Sequence, residues 1–269
     1  MLITLLTDFG MADYFVGAMK GVILSLSSRA RIVDITHEIP PQDIRAGAFT
    51  LLAVYSDFPP QTIHVAVVDP GVGSSRRPIL VAGGGQFFVG PDNGIFGYIY
   101  EREAEASVFH LNRPEFFRSP VSATFHGRDV FAAVAGALSN GTKPDELGQE
   151  IKDYVRLPMP APRRSKTDGS LDATIIHIDR FGNCVTNLTR ELLTEEMIES
   201  GAQLHVGADV VKTFRRFYAE ASNAPDEPFA IWGSAGLLEI AALNSNAARK
   251  LGARRGDPLR VLLRPAGAG

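Results

Sequence analysis

Across the first 150 residues, short β-rich apolar runs alternate with segments whose apolar residues recur at helical spacing. Residues 2–6 form an apolar run that includes the β-branched Thr4. Phe15, Met19, Val22, Ile23 and Leu26 then keep a helical period. Residues 31–35 read as a second strand, and Ile44, Ala48, Leu51, Leu52 and Tyr55 mark a second helix. A third β-rich run, 62–68, ends in Asp69-Pro70-Gly71. Runs at 78–82, 86–89 and 107–111 predict further strands, and 129–138 predicts a helix that stops at Asn140-Gly141. Strand and helix in alternation predict an α/β layer with a largely parallel sheet.

The pattern changes at 156–170, where Pro158, Pro160 and Pro162 precede a polar stretch from Arg163 to Gly169. Such a segment is expected to hold neither a ladder nor a helix, and 158–170 reads as a linker. It divides an N-terminal α/β domain, 1–157, from a smaller C-terminal domain, 171–269. Beyond it, strands are predicted at 172–178, 183–188, 203–206, 210–214, 229–232 and 258–263. Short helices are expected near 189–199 and 244–251, so the second domain is β-rich.

Composition excludes several classes of partner. The chain has 269 residues, 45% hydrophobic and 21% charged, the profile of an ordinary globule. Twenty-seven basic residues against 30 acidic ones leave a net charge of −3. A partner such as nucleic acid or an anionic membrane calls for a basic excess, so neither is expected. One cysteine, Cys184, excludes an internal disulfide framework and fits a reducing compartment. The N-terminal apolar run ends at Asp8, too short for a signal peptide, and no run approaches the ~18 apolar residues of a membrane span. A cytoplasmic protein is expected.

Some motifs carry little. Gly71-Val72-Gly73 lacks the third glycine of a dinucleotide fingerprint, and a strand follows where a helix should open. Asp8-Phe9-Gly10 and His126-Gly127-Arg128-Asp129 echo kinase signatures in the wrong order. The six histidines lack metal-ligand spacing, so no metal is expected.

Polar residues gather where strands should end: Asp8 after the first, Asp34 and His37 at the second, Asp69 after the third. Open α/β sheets bind ligands at those ends. Taken singly, each aspartate reads equally well as a cap or turn residue. His126, at a helix start, suits a general base or a cap, and His37 reads as structural. Asp179-Arg180-Phe181-Gly182-Asn183 suits a purine, with stacking on Phe181 and edge hydrogen bonds to Asn183, and is also a legal hairpin turn. Gly233-Ser234-Ala235-Gly236-Leu237-Leu238-Glu239 either admits a ligand close to the backbone or ends a strand.

Together these segments resemble the S-adenosylmethionine hydroxide adenosyltransferases, relatives of enzymes that fluorinate or chlorinate the same substrate. The resemblance runs nearly end to end. It rests on Leu6-Thr7-Asp8-Phe9-Gly10, Met19-Lys20-Gly21, Asp34-Ile35-Thr36-His37, the run from Val67 to Gly73, Pro91-Asp92-Asn93-Gly94, Thr124-Phe125-His126-Gly127-Arg128-Asp129 and the two C-terminal motifs above. It implies an N-terminal α/β domain joined to a β-barrel-like domain. It also implies a homotrimer whose ligand lies between one subunit's first domain and a neighbour's second.

The resemblance implies roles as well. Asp69, Arg76 and His126 match a catalytic triad, although Arg77 stands next to Arg76. Asp8 would hold the ribose hydroxyls, with Thr124 and Phe125 also at the substrate. Phe181 and Asn183 would meet adenine. Asp13, Asp179 and Ser234 would meet the methionine end, with Glu239 close by. The implied reaction is attack of water on the ribose C5′ of S-adenosylmethionine, giving adenosine and methionine without a cofactor. Asp69 and His126 would polarise the water and Arg76 would orient them. The alternatives are a halide-using, chlorinase-like transferase and a non-catalytic adenosine or S-adenosylmethionine sensor. A tyrosine is expected at position 69 in halogenases, and a serine at 127 in the fluorinating enzyme.

Overall fold

The computed structural model describes residues 1–221 and 227–263. Residues 222–226 and 264–269, both in the expected second domain, lie outside the described residues. The chain divides into two compact units, Met1–Pro158 and Met159–Gly269.

The first unit is built on a seven-stranded sheet. In chain order its strands are β1 (Leu2–Thr7), β2 (Arg31–Thr36), β3 (Ile63–Val67), β4 (Pro78–Gly83), β5 (Gln86–Pro91), β6 (Ser107–Leu111) and β7 (Gly148–Ile151). Across the sheet they run β2-β1-β3-β5-β4-β6-β7. The first three ladders in that order are parallel and the last three antiparallel, so five strands point one way and β4 and β7 the other. The reversal at β4 is a tight hairpin through Gly84 and Gly85, both at positive φ, where a side chain would be strained.

Helices cover both faces, which is why β1 and β3 read as nearly unbroken apolar runs. On one face Ile3, Leu5, Val65 and Val67 pack with Met19 and Ile23 of α1 (Phe15–Leu26) and with Val134 and Leu138. On the other, Leu6, Ala66 and Val68 pack with Leu51 of α2 (Ile44–Val54) and Ile99 of α3 (Gly97–Arg102). The helix predicted at 129–138 has two parts. Residues Gly127–Phe131 make a π-helical turn, and α4 (Ala132–Ser139) follows. The short α3 and β7 gave no periodic signal in the sequence. A brief α5 (Pro144–Leu147) precedes β7.

The second unit is one curled sheet that forms a half-barrel. Its main strands are β9 (Leu171–Ile178), β10 (Cys184–Thr189), β11 (Gln203–Val206), β12 (Asp209–Val211), β13 (Phe214–Arg215), β14 (Phe229–Trp232), β15 (Leu237–Ala241) and β16 (Pro258–Leu262). The order is β12-β11-β16-β9-β10-β15-β14-β13. The first half of β9 pairs with β16 and its second half with β10, so the sheet bends there. The end strands β12 and β13 are separated by Lys212 and Thr213 alone. A link that short spans at most about 11 Å, so the sheet must curl until its ends approach.

That link corrects the strand expected at 210–214, which is broken between two ends of the sheet. The polar stretch after the prolines is corrected too, because β8 (Arg163–Arg164) pairs with β9. Helix formation near 189–199 and 244–251 is confined to α6 (Glu195–Glu199) and α7 (Ala247–Lys250). Cys184 is buried in the second core beside Ile175, Leu188, Leu238 and Ile240. Burial pushes its thiol up to about 11. Among the described residues, no helix is long and apolar enough to cross a membrane.

Candidate active site

Four parallel strands end on polar residues: β2 before His37, β1 before Asp8, β3 before Asp69 and β5 before Asn93. Strands β1 and β3 are neighbours, which brings their two aspartates to adjacent positions on one rim. Asp8 accepts the Gln42 N–H on Oδ2 at 2.8 Å. Asn93 donates to Val68 O at 2.8 Å and accepts from Ile95 N, so it braces the backbone next to Asp69.

Asp69, Arg76 and His126 meet although 50 residues separate the last two. The loop that carries Asp69 and Arg76 closes on residue 123 at Gly73, whose φ is +77° and where a Cβ would collide with Ala123 O. Only glycine fits both demands. Arg76 Nε lies 2.9 and 3.0 Å from the two Asp69 oxygens, and its Nη2 also donates to Oδ2. The same Nη2 stands 2.7 Å from His126 Nδ1. The Asp69 and Arg76 side chains are only 5% and 9% exposed. The guanidinium carbon lies 5.3 Å from the centre of the Phe131 ring, and Nη1 is buried with no partner.

This geometry assigns the histidine tautomer. Arginine only donates, so His126 Nδ1 presents its lone pair and a neutral ring carries its proton on Nε2. Burial, and then the Arg76 charge, hold the His126 pKa below its ordinary value. The neighbouring Arg77 faces away. It binds Asp92 at 2.8 and 3.1 Å and Asp153 Oδ1 at 2.9 Å. Asp92 also accepts the Val155 N–H, so Pro91-Asp92-Asn93-Gly94 is a framework turn.

The other candidates of the first unit sit differently. Asp13 and Thr124 are exposed, and the Thr124 N–H is 3.3 Å from Ser122 Oγ. The Phe125 ring is buried against Phe9, Phe15 and Tyr14, with Arg128 over its face. Next to it, Asp129 is fully buried and takes Arg128 Nε at 2.6 Å and the Ser122 N–H at 2.8 Å. These contacts hold the π-helical turn that presents His126; such turns recur at functional sites. His37 is buried, with Nδ1 2.8 Å from Thr7 Oγ1.

In the second unit, Asp179, Phe181, Asn183, Ser234 and Glu239 line one cavity of about 780 Å³. Asp179 Oδ1 accepts the Phe181 and Asn183 N–H groups at 2.9 and 2.8 Å, and Oδ2 accepts Asn183 Nδ2 at 2.8 Å. That amide also reaches Tyr218 OH at 3.2 Å. Gly182, at φ +86°, leaves room for the Asn246 side chain, which caps α7. Phe181 is 77% exposed and lines the cavity. Glu239 lies close over Gly233, and burial, then Asp179, raises its pKa. Tyr218, Trp232 and Asn246 also line the cavity and were not singled out from the sequence. Tyr218 sits in a stretch without periodicity, and only its aromatic character could have marked it.

Comparison with known proteins agrees over both units. A family model described as the S-adenosylmethionine hydroxide adenosyltransferase N-terminal domain matches residues 3–148, and the C-terminal domain of the same family matches 173–260. An (R)-S-adenosyl-L-methionine hydrolase from Salinispora arenicola is 39% identical, over 96% of this chain and 97% of that protein. One of the same description from Thermus thermophilus is 36% identical, over 96% and 98%. A fluorinase from an Actinoplanes species is 26% identical, over 89% and 90%. A solved structure from Thermotoga maritima, described as an uncharacterized conserved protein, superposes with a TM-score of 0.88 at 32% identity, covering 97% of this chain and 99% of that one.

Proposed function

The chain belongs to the S-adenosylmethionine hydroxide adenosyltransferase family, and from that premise we propose that it hydrolyses S-adenosylmethionine to adenosine and methionine. The observation that carries the reading is the Asp69–Arg76–His126 network at the end of a central parallel strand, with its Asp69–Arg76 pair almost wholly covered.

In this reading water attacks the ribose C5′. A C5′–O bond forms, the C5′–S bond breaks, and the sulfur keeps the electron pair. A sulfonium leaves as a neutral thioether and needs no acid. The demand is on the nucleophile, which must lose a proton as it bonds. Arg76 cannot accept that proton, and His126 spends its Nδ1 lone pair on Arg76. Asp69 is therefore the acceptor, and His126 Nε2–H is a donor that steadies the oxygen. A positioned base is worth ~10²–10⁴-fold, and alignment with the C–S bond removes part of the entropic barrier. No metal ion or cofactor enters the scheme.

The binding side of the reading uses both units. Asp8 takes the two ribose hydroxyls, Phe181 stacks on adenine, and Asn183 Oδ1 accepts from its amino group. Asp13, Asp179, Ser234 and Glu239 serve the methionine end, where the substrate is cationic. We propose in addition a homotrimer in which ligands lie at subunit interfaces, in the cytoplasm, without nucleic-acid or membrane partners. Light scattering of the purified protein tests the trimer, and a mass of any other assembly overturns it.

A halide is disfavoured as nucleophile. A carboxylate about 4 Å from an anion costs about 4 kcal/mol at an effective dielectric of 20, less whatever attraction Arg76 supplies. The test is incubation with S-adenosylmethionine in chloride buffer and separation of the products. Adenosine and methionine are expected. A chlorinated nucleoside contradicts the reading, as does full activity in Asp69→Ala.

A further inference from the structure

Lys20, Asp34 and His37 belong to segments that carry the family resemblance, yet the scheme above leaves them without a role. The structure joins them into a chain behind Asp8. Strand β2 bulges against β1, so that Leu5 pairs with Asp34 but Leu6 with Thr36. A bulge re-aims the side chains beyond it. Lys20 Nζ, from α1, donates to Asp34 Oδ2 at 2.6 Å. His37 Nε2 lies 3.2 Å from Asp34 Oδ1, a close contact outside hydrogen-bond geometry. His37 Nδ1 is 2.8 Å from Thr7 Oγ1. Thr7 is the buried last residue of β1, and its hydroxyl oxygen also accepts the Phe9 N–H at 3.2 Å.

The main chain ties the same two segments. Gly10 N–H donates to His37 O at 2.8 Å and Ile39 N–H to Thr7 O at 3.3 Å. Asp8 thus stands between Thr7 and Phe9, both held by the chain that starts at Lys20. The Asp34 carboxylate beside Nε2 favours a proton on that nitrogen. Nδ1 then offers a lone pair to the Thr7 O–H, and the Thr7 oxygen is left to face the Phe9 N–H. Each joint sets the direction of the next. A carboxylate that must receive two hydroxyls at once tolerates a displacement of only about 0.5 Å.

We propose that Lys20, Asp34 and His37 are positioning residues that set the Asp8 carboxylate for a vicinal diol, and so control selection of ribose over deoxyribose. The proposal rests on the reading of Asp8 as the ribose ligand. It is tested by calorimetric titration of the full chain with adenosine and with 2′-deoxyadenosine. The unaltered protein should prefer adenosine about tenfold or more, the scale of a hydrogen bond to a charged group. In Asp34→Asn that preference should fall to about threefold, while affinity for 2′-deoxyadenosine stays within about twofold. Lys20→Met, at the half-exposed end of the chain, should act in the same direction, and Lys20→Arg should retain the preference. That pair carries the test if Asp34→Asn does not fold. An unchanged preference in Lys20→Met and Asp34→Asn overturns the proposal. An equal loss of both nucleosides also overturns it, because a structural role alone predicts that result. No preference in the unaltered protein, or one that survives Asp8→Asn, overturns the reading of Asp8 and the proposal with it.

Discussion

The two units carry their polar residues in opposite ways. In the first, Arg76 bridges Asp69 and the half-buried His126, and the network is fixed before any ligand arrives. In the second, the cavity is wide, Phe181 projects into it with most of its surface free, and Glu239 is half-buried with a raised pKa. Preorganised charge suits a reacting centre, because it need not rearrange as the bond forms. An open, partly apolar cavity with a few fixed polar atoms suits recognition of a flat heterocycle. The proposed function places chemistry in the first unit and recognition in the second, and that proposal can be broken.

The largest effect should come from Asp69→Ala, which removes the proposed acceptor and should lower kcat by about 10²–10⁴-fold in a product assay with S-adenosylmethionine. A smaller loss, on the order of tenfold to a hundredfold, is expected for Arg76→Lys, since an ammonium cannot reach both Asp69 oxygens and His126 together. If Arg76→Lys matched the parent enzyme in kcat, fixed geometry would not matter. In the second unit, Asn183→Ala should raise KM up to about tenfold and leave kcat within a few-fold. A fall in kcat without a change in KM would place part of the chemistry there.

Acid stability sharpens the comparison differently, because it reports on the core beneath the first site. His64 is buried between Thr4 and Gln86, and desolvation lowers its pKa from 6.5 to about 4. The unfolded chain takes up a proton as pH falls through 6.5, while the folded chain stays neutral there until about 4. The folded state should therefore lose about 3 kcal/mol across that window, read by urea unfolding at pH 7 and pH 4.5. His64→Gln should flatten part of this dependence. The smallest change in turnover, within about twofold, is expected for Arg77→Ala, whose partners Asp92 and Asp153 belong to the framework. Adjacent arginines with unlike effects would separate the site from its support.

Much of this was legible in the residues. Alternating periods marked β1, β2 and β3, and with them the aspartates at their ends. The family resemblance pointed to Arg76, and the structure turns the neighbouring Arg77 toward Asp92. What stayed hidden depends on encounters far apart in the chain. The closure at Gly73 needs Ala123, fifty residues on. The jump from β12 to β13 crosses the whole sheet order in two residues, which no local period records. Tyr218 reaches Asn183 from a short turn that has no pattern to read. The bulge at β2 likewise emerges only in pairing with β1.

The central claim is that water, held at Asp69 and His126, is the nucleophile. It is tested most directly by turnover of S-adenosylmethionine in oxygen-18 water containing chloride, with mass analysis of the nucleoside. Adenosine that carries the heavy isotope at its 5′ oxygen, and loss of that product in Asp69→Ala, is the predicted result. A 5′-chlorinated nucleoside, or binding without any product, would contradict it.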